Sequence, residues 1–112
     1  MKISILLLIS FFILITTNLF SAPLNGTYTI GSGGNYPTLN SALDDAVIQG
    51  INGPVIFDIV TGVYVDTTGI EYIPGSSLAN TLTLKSMSGN SEDVIVYITY
   101  IRSSNIIIKI YP

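Results

Sequence analysis

The sequence predicts a mainly β fold: the start of a right-handed parallel β-helix with one N-terminal capping α-helix, incomplete after about two coils. A glycine turn at 31–34 leads into one short amphipathic segment, and a β-branched strand ending in Gly-Val-Tyr at 62–64 follows. Isoleucine, valine and threonine are abundant beyond that segment, and these residue types favour sheets. Strand-like segments after residue 53 also recur at a regular spacing. Together these observations favour a stack of short parallel strands.

The first 21 residues have the features of a secretory signal peptide. Lys2 is followed by an apolar run over 3–15 and by polar residues at 16–18, the order expected of such a leader. The run of about thirteen residues is short for a membrane span, which needs about 20. We therefore expect cleavage between Ser21 and Ala22, a secreted or cell-surface location, and membrane contact only through the leader. An uncleaved anchor is the alternative.

The predicted organisation after the leader has two parts. An N-terminal strand and the capping helix occupy 22–53, and the first coils of the β-helix occupy 54–112. The helix is predicted over 39–49, because five apolar residues fall on one face at helical spacing. Thr38 is the expected N-cap, and Gly50 is the expected stop. The apolar positions are Leu39, Ala42, Leu43, Ala46 and Val47.

Short β segments separated by glycine, proline and serine turns account for the rest of the chain. An offset of 24 residues relates Ile70 to Val94, Leu82 to Ile106 and Leu84 to Ile108, which suits a coil of three strands. An antiparallel sandwich predicts similar spacing, but the tight hairpin signals that such a fold needs are missing. The candidate strands are 27–30, 55–60, 70–73, 82–86, 94–101 and 106–110.

Composition narrows the possible partners. The net charge is −3, only 10% of residues are charged, and the chain has no cysteine and no histidine. Lys85, Arg102 and Lys109 form no cluster, so we expect no nucleic-acid partner. Disulfides, thiol catalysis and the usual zinc or copper sites are excluded. A neutral, hydroxyl-rich surface is left, and the expected partners are carbohydrate or cell-surface molecules.

Several segments together carry a family resemblance, which covers about 27–98. The chain resembles the N-terminal start of pectin-lyase-like, pectinesterase-like right-handed β-helix proteins, including large surface proteins of Bacteroidetes-type bacteria. The resemblance implies that the helix covers the open end of the first coil, with Leu39, Leu43, Ala46 and Val47 as the lid and Tyr36 and Tyr64 at its margins. The matching segments are Tyr-Pro-Thr at 36–38, Ser-Ala-Leu-Asp-Asp-Ala at 41–46, Val-Ile-Phe-Asp-Ile at 55–59, Thr-Gly-Val-Tyr at 61–64, Leu-Thr-Leu-Lys at 82–85 and Val-Ile-Val at 94–96.

None of the motifs that could carry chemistry is assigned to a catalytic, cofactor-binding or metal site. The glycines of 31–34 lack the lysine of a phosphate loop and are read as a tight turn. Adjacent Asp44 and Asp45 point about 100° apart on a helix and are read as a solvated face. The pair at 92–93 is read as a turn. Asp66 and Glu71 could contribute to a calcium site, which wants about six to eight oxygen ligands, but they do not complete one.

The arginine and the tyrosines are also not assigned to a functional site. Arg102 is read as an exposed turn residue, since the resemblance implies that catalytic residues of the esterases and lyases lie on later coils. Tyrosines on strands can stack on sugars, but packing in the core or at edges is favoured. The tyrosines are Tyr28, Tyr36, Tyr64, Tyr72, Tyr97, Tyr100 and Tyr111.

These observations predict a structural or adhesive module of a secreted or cell-surface protein, with glycan binding as one expected role and no catalytic site in the chain. The first alternative is the N-terminal remnant of a polysaccharide-active esterase or lyase. The second is a self-associating small surface protein. The strongly β-prone segments 94–101 and 106–110 would form an open last rung, and such an edge can pair with another chain.

Overall fold

The computed structural model describes residues 22–66, 71–98 and 109–112, with only the backbone of residue 66. The predicted leader and the whole of the segment 99–108, which includes Arg102, lie outside the described residues. No described helix is both long and apolar enough to cross a membrane. The elements are β1 (Leu24–Ile30), α1 (Leu39–Gln49), β2 (Ile51–Ile59), β3 (Gly62–Asp66), β4 (Leu82–Ser86), a 3₁₀ turn (Ser91–Asp93), β5 (Val94–Ile98) and β6 (Ile110–Tyr111).

The six described strands form two sheets. One sheet has four strands in the order β1-β2-β4-β6, and the other contains β3 and β5. Every pairing between these strands is parallel. The antiparallel sandwich is therefore excluded for the described strands.

The predicted fold class is nevertheless wrong. The described residues form a small α/β domain of two parallel sheets and one helix, with no solenoid evident. The repeat of 24 residues placed Val94 opposite Ile70, whereas Val94 pairs with Gly62. It also placed Leu84 opposite Ile108, whereas Leu84 pairs with Ile110. The apolar spacing was similar enough to suggest a repeat, but turn lengths rather than strand spacing set the register.

Helix α1 was predicted correctly because its signals are local. Thr38 is the N-cap of the helix. Its hydroxyl accepts a hydrogen bond from the Ser41 amide at 3.2 Å, and the Ser41 hydroxyl accepts one from the Thr38 amide at 3.4 Å. Gly50 ends it with a positive φ of 72°, which favours glycine. The expected apolar face is buried at Leu39, Ala42, Leu43 and Ala46, and Val47 is half-buried.

The core lies between α1 and the inward faces of the two sheets. Alternate residues of β2 point inward, and Val55, Phe57 and Ile59 are fully buried. Because the strands pair in register, inward residues stack into ladders across the sheet. One ladder contains Tyr28, Phe57, Leu84 and Ile110, and another contains Ile30, Ile59 and Ser86.

Among the described residues, several strands depart from their predicted bounds. β1 starts at Leu24, three residues earlier than predicted, and β6 is Ile110–Tyr111 rather than 106–110. β2 starts at Ile51, four residues early, since the Ile51 amide donates to the Pro74 carbonyl at 2.8 Å. The sequence did not predict β3, because glycine usually interrupts strands. In the structure, β3 begins at Gly62 and pairs with β5 along its whole length. Residues 71–73 form no strand. Instead, the turn after Pro74 places Gly75 directly against the Ile51 carbonyl, where any Cβ would overlap it.

Candidate binding groove

A shallow groove lies at the carboxyl ends of β1, β2 and β4. Because all three strands run in the same direction, the segments that follow them meet at one edge of the sheet. The groove encloses about 450 Å³. Its lining residues are Thr29, Ser32, Gly33, Gly34, Asn35, Val60 and Met87.

One wall of the groove is the loop 31–35, which is hydrogen-bonded to its own strand. The Gly31 amide donates to the Tyr36 carbonyl at 2.9 Å, and the Tyr36 amide donates to the Thr29 carbonyl at 3.1 Å. The Asn35 Oδ1 accepts from the Thr29 amide at 2.8 Å. These bonds close the loop and hold the Asn35 side chain in a fixed position beside the strand.

Glycine is required in this loop for two reasons. Gly33 has a φ of +80°, which disfavours other residues. Gly34 lies so close to the strand that a Cβ would come within 2.5 Å of the Thr29 carbonyl oxygen. The predicted tight turn at 31–34 is confirmed, and the Gly34 amide closes it by donating to the Gly31 carbonyl at 3.0 Å.

Two apolar side chains contribute the other part of the lining. Val60 and Met87 follow β2 and β4, and their amides continue the sheet ladder by donating to the carbonyls of Ile30 and Ile59, each at 2.9 Å. Val60 is half-buried, and the Met87 side chain is exposed. The groove therefore combines hydroxyl, amide and backbone groups with an apolar patch, and none of the described residues that line it is charged.

A polar row of side chains lies on the outer face of the same sheet. Thr29, Asp58, Lys85 and Tyr111 are register partners across β1, β2, β4 and β6. Strand alternation turns Asp58 away from the core, since its neighbours Phe57 and Ile59 are buried. The Asp58 Oδ1 is buried and has no hydrogen-bond partner among the described residues. Thr29 belongs to both this row and the groove.

The acidic residues singled out from the sequence lie apart from the groove lining. The Asp45 Oδ2 accepts a hydrogen bond of 2.5 Å from the Tyr36 hydroxyl, so Asp45 is not solely a solvated residue. Asp44 is exposed, as predicted. The Asp66 side chain lies outside the described residues, so the structure does not test whether Asp66 and Glu71 contribute to a calcium site. No group of three or more potential metal ligands occurs within the described ranges.

The Glu92–Asp93 pair occupies a short turn, as predicted. It belongs to the 3₁₀ turn before β5, where the Asn90 side chain accepts from the Glu92 amide at 3.1 Å. The Ser88 hydroxyl donates to the Asp93 Oδ2 at 2.6 Å, and Ser88 also bonds the buried Ser86 hydroxyl at 3.0 Å. These contacts hold the turn together.

Comparison with protein-family models, characterised proteins and solved structures gave no match. The resemblance to pectin-lyase-like proteins therefore stays an expectation drawn from the residues. What the chain binds has to be argued from the chemistry of its own surface.

Sequence reasoning did not find the groove. Its lining comes from three segments far apart in the chain, around 29–35, 60 and 87, and their proximity depends on the parallel register. The one local signal was the glycine turn followed by Tyr36. That signal predicted a tight turn but did not indicate what the turn would face.

Proposed function

We propose that this chain is a structural and adhesive module of a secreted or cell-surface protein, and that the groove binds neutral carbohydrate. The observation that carries the proposal is the lining of the groove, in which Thr29, Ser32 and Asn35 lie around Val60 and Met87. Small-molecule sites combine apolar lining with a few placed polar groups that fix orientation. A sugar ring presents hydroxyls at its edge and C–H groups on its faces, which matches this combination.

The position of the groove supports the same reading. Ligands of open α/β sheets bind outside the carboxyl ends of the parallel strands. Here β1, β2 and β4 all end at the groove. A neutral ligand suits the groove because no lining side chain carries a charge.

The predicted secretory leader favours a role outside the cell. The apolar segment after Lys2 has the pattern of a secretory leader, and glycans are abundant outside cells. Carbohydrate binding is preferred to glycoside hydrolysis, because that reaction commonly requires two carboxyl groups about 5–10 Å apart and no carboxylate of the described residues lines the groove. The enzyme alternative stays a prediction that no observation favours.

Titration calorimetry of the full chain tests the groove directly. The ligands are neutral β-linked hexose oligosaccharides of about four to six units, enough to exceed the groove, with oligogalacturonate as the charged comparison. We expect a neutral oligosaccharide to bind. The double variant Ser32→Ala with Met87→Ala should weaken it about tenfold, since one lost hydrogen bond and one lost apolar contact together cost about 1.4 kcal/mol.

Matched substitutions outside the groove serve as controls. Ser76 and Leu78 are exposed residues of the loop before β4. The double variant Ser76→Ala with Leu78→Ala should bind as the parent chain does. Equal affinities for the parent chain and the groove variant, or no binding of any neutral oligosaccharide, would refute the proposal that the groove binds carbohydrate.

A further inference from the structure

We propose that the outer face of the two-stranded sheet is an interface between two copies of this chain. This β3–β5 face consists of Val63, Val65, Ile95 and Tyr97. The proposal does not depend on the groove, since none of these residues lines it.

The β3–β5 face is continuous because the two strands pair in register. Val63 lies opposite Ile95, and Val65 lies opposite Tyr97. The intervening partners, Tyr64 and Val96, pack against the core. All four outer side chains are exposed, with exposed fractions of 63% for Val63, 57% for Val65, 47% for Ile95 and 59% for Tyr97.

An uncovered apolar face is unusual for this kind of sheet. Parallel sheets are almost always covered on both faces. The inner face of β3 and β5 is covered by the core, whereas the outer side chains remain exposed to about half their area. Scattered exposed apolar residues are common, whereas the largest contiguous apolar patch on a protein is often functional.

A second copy is compatible with the face in charge and in symmetry. None of the four side chains is charged, so two chains of net charge −3 can meet there without opposing like charges at the centre of the contact. A short sheet can stack on its twofold-related copy about 10 Å away, because the same patch then meets itself. Neither copy needs to change its fold.

The area of the face indicates a reversible dimer. Four side chains of this size, each about half exposed, offer roughly 400 Å² per copy, within the range of about 300–600 Å² for the largest apolar patches on monomers. Burying the face on both copies removes roughly 800 Å², whereas stable interfaces bury about 1,200–2,000 Å². The dimer should therefore dissociate on dilution.

Single cysteines can map this interface, since the chain has none of its own. The full chain would carry Val65→Cys or Tyr97→Cys, and copper phenanthroline would oxidise paired thiols to a disulfide. The controls are Ile48→Cys, on a side chain 76% exposed on α1, and Leu78→Cys, on a side chain that is fully exposed. We expect the two face variants to form covalent dimers about tenfold faster than both controls, because the interface raises the effective thiol concentration.

The two control cysteines also define the result that would overturn the dimer. Random collisions would give the fastest dimerisation at Leu78→Cys, the most exposed position, and that ranking would overturn the proposal.

Sedimentation velocity provides a second measurement without cysteines. The parent chain and Ile48→Lys should show a concentration-dependent dimer, and Tyr97→Lys should remain a monomer. A monomeric parent chain whose Tyr97→Cys thiol is shielded from alkylation by oligosaccharide would instead assign the face to glycan and refute the dimer.

Discussion

Tyr36 links helix α1, strand β1 and the core. Its ring contacts Tyr28 and Phe57, with centroids 5.9 and 6.0 Å away. Its hydroxyl donates to the Asp45 carboxylate on α1, and its amide donates to the Thr29 carbonyl on β1. Aromatic pairs in such tilted or edge-to-face arrangements contribute about 0.5–1.5 kcal/mol each beyond area burial. Tyr36 thus fixes the end of the groove loop against both the helix and the sheet.

The environment of Tyr36 predicts how stability changes at high pH. Burial, and then the hydrogen bond to Asp45, raise the pKa of Tyr36 above its ordinary value of 10.0. Above pH 10 the unfolded chain therefore loses the tyrosine proton while the folded chain keeps it. The free energy of unfolding should fall as the pH rises from about 10 toward the folded pKa. Urea unfolding of the parent chain between about pH 8 and 11 measures this slope.

The variant Tyr36→Phe should show a shallower slope over the same pH range, although it should be less stable at pH 8 because the bond to Asp45 is lost. Tyr72→Phe is the control, since the Tyr72 side chain is 69% exposed, and it should keep the parent slope. A Tyr36→Phe slope equal to that of the parent chain would show that another group causes the alkaline loss.

At the scale of single elements, the helix was predictable and the strand register was not. Thr38, Gly50 and the spacing of Leu39, Leu43 and Ala46 act within one stretch of chain, so pattern alone placed α1 over its observed range. Strand β4 was also placed correctly at 82–86. The partner of each strand depends on distant residues, and Val94 pairs with Gly62 rather than with Ile70.

The cap of α1 should contribute measurably to stability. The Thr38 hydroxyl satisfies the Ser41 amide, which otherwise has no partner within the helix. Thr38→Ala should lower the free energy of unfolding by about 1 kcal/mol. Urea unfolding compares it with Thr38→Ser, which retains the hydroxyl and should stay within about 0.5 kcal/mol of the parent chain. An equal loss in both variants would mean that the methyl group of Thr38, not its hydroxyl, stabilises the helix.

At the scale of the whole molecule, one core joins the helix to both sheets. The buried cluster includes Ala42 of α1, Phe57 of β2, Leu84 of β4 and Val94 of β5. Elements that share a core unfold together in small domains. We therefore expect a single unfolding transition, with far-ultraviolet and near-ultraviolet circular dichroism changing at the same denaturant concentration.

A core substitution tests this cooperativity. Phe57 is fully buried, so Phe57→Ala should cost about 3–5 kcal/mol and shift both spectroscopic signals equally. Leu78→Ala is the matched control, because Leu78 is fully exposed, and it should change stability by less than about 0.5 kcal/mol. Separate transitions for the two signals would contradict a shared core.

The candidate site belongs to this largest scale, which explains why the sequence did not predict it. Thr29, Val60 and Met87 become neighbours only when β1, β2 and β4 pair in parallel with the observed register. The composition did predict a neutral, hydroxyl-rich surface. The resemblance implied that functional residues lie on later coils, and the predicted fold class was wrong, so the sequence predicted no site at the end of the sheet.

The closed loop at 31–35 has a consequence for how binding specificity could change. Its ends are fixed by bonds between Gly31 and Tyr36 and between Tyr36 and Thr29, all on one side of the sheet. The side chain at position 32 is exposed and takes part in none of these bonds. Position 32 is therefore free to diversify, and a lineage or a designer could retune ligand preference there while the scaffold stays unaltered.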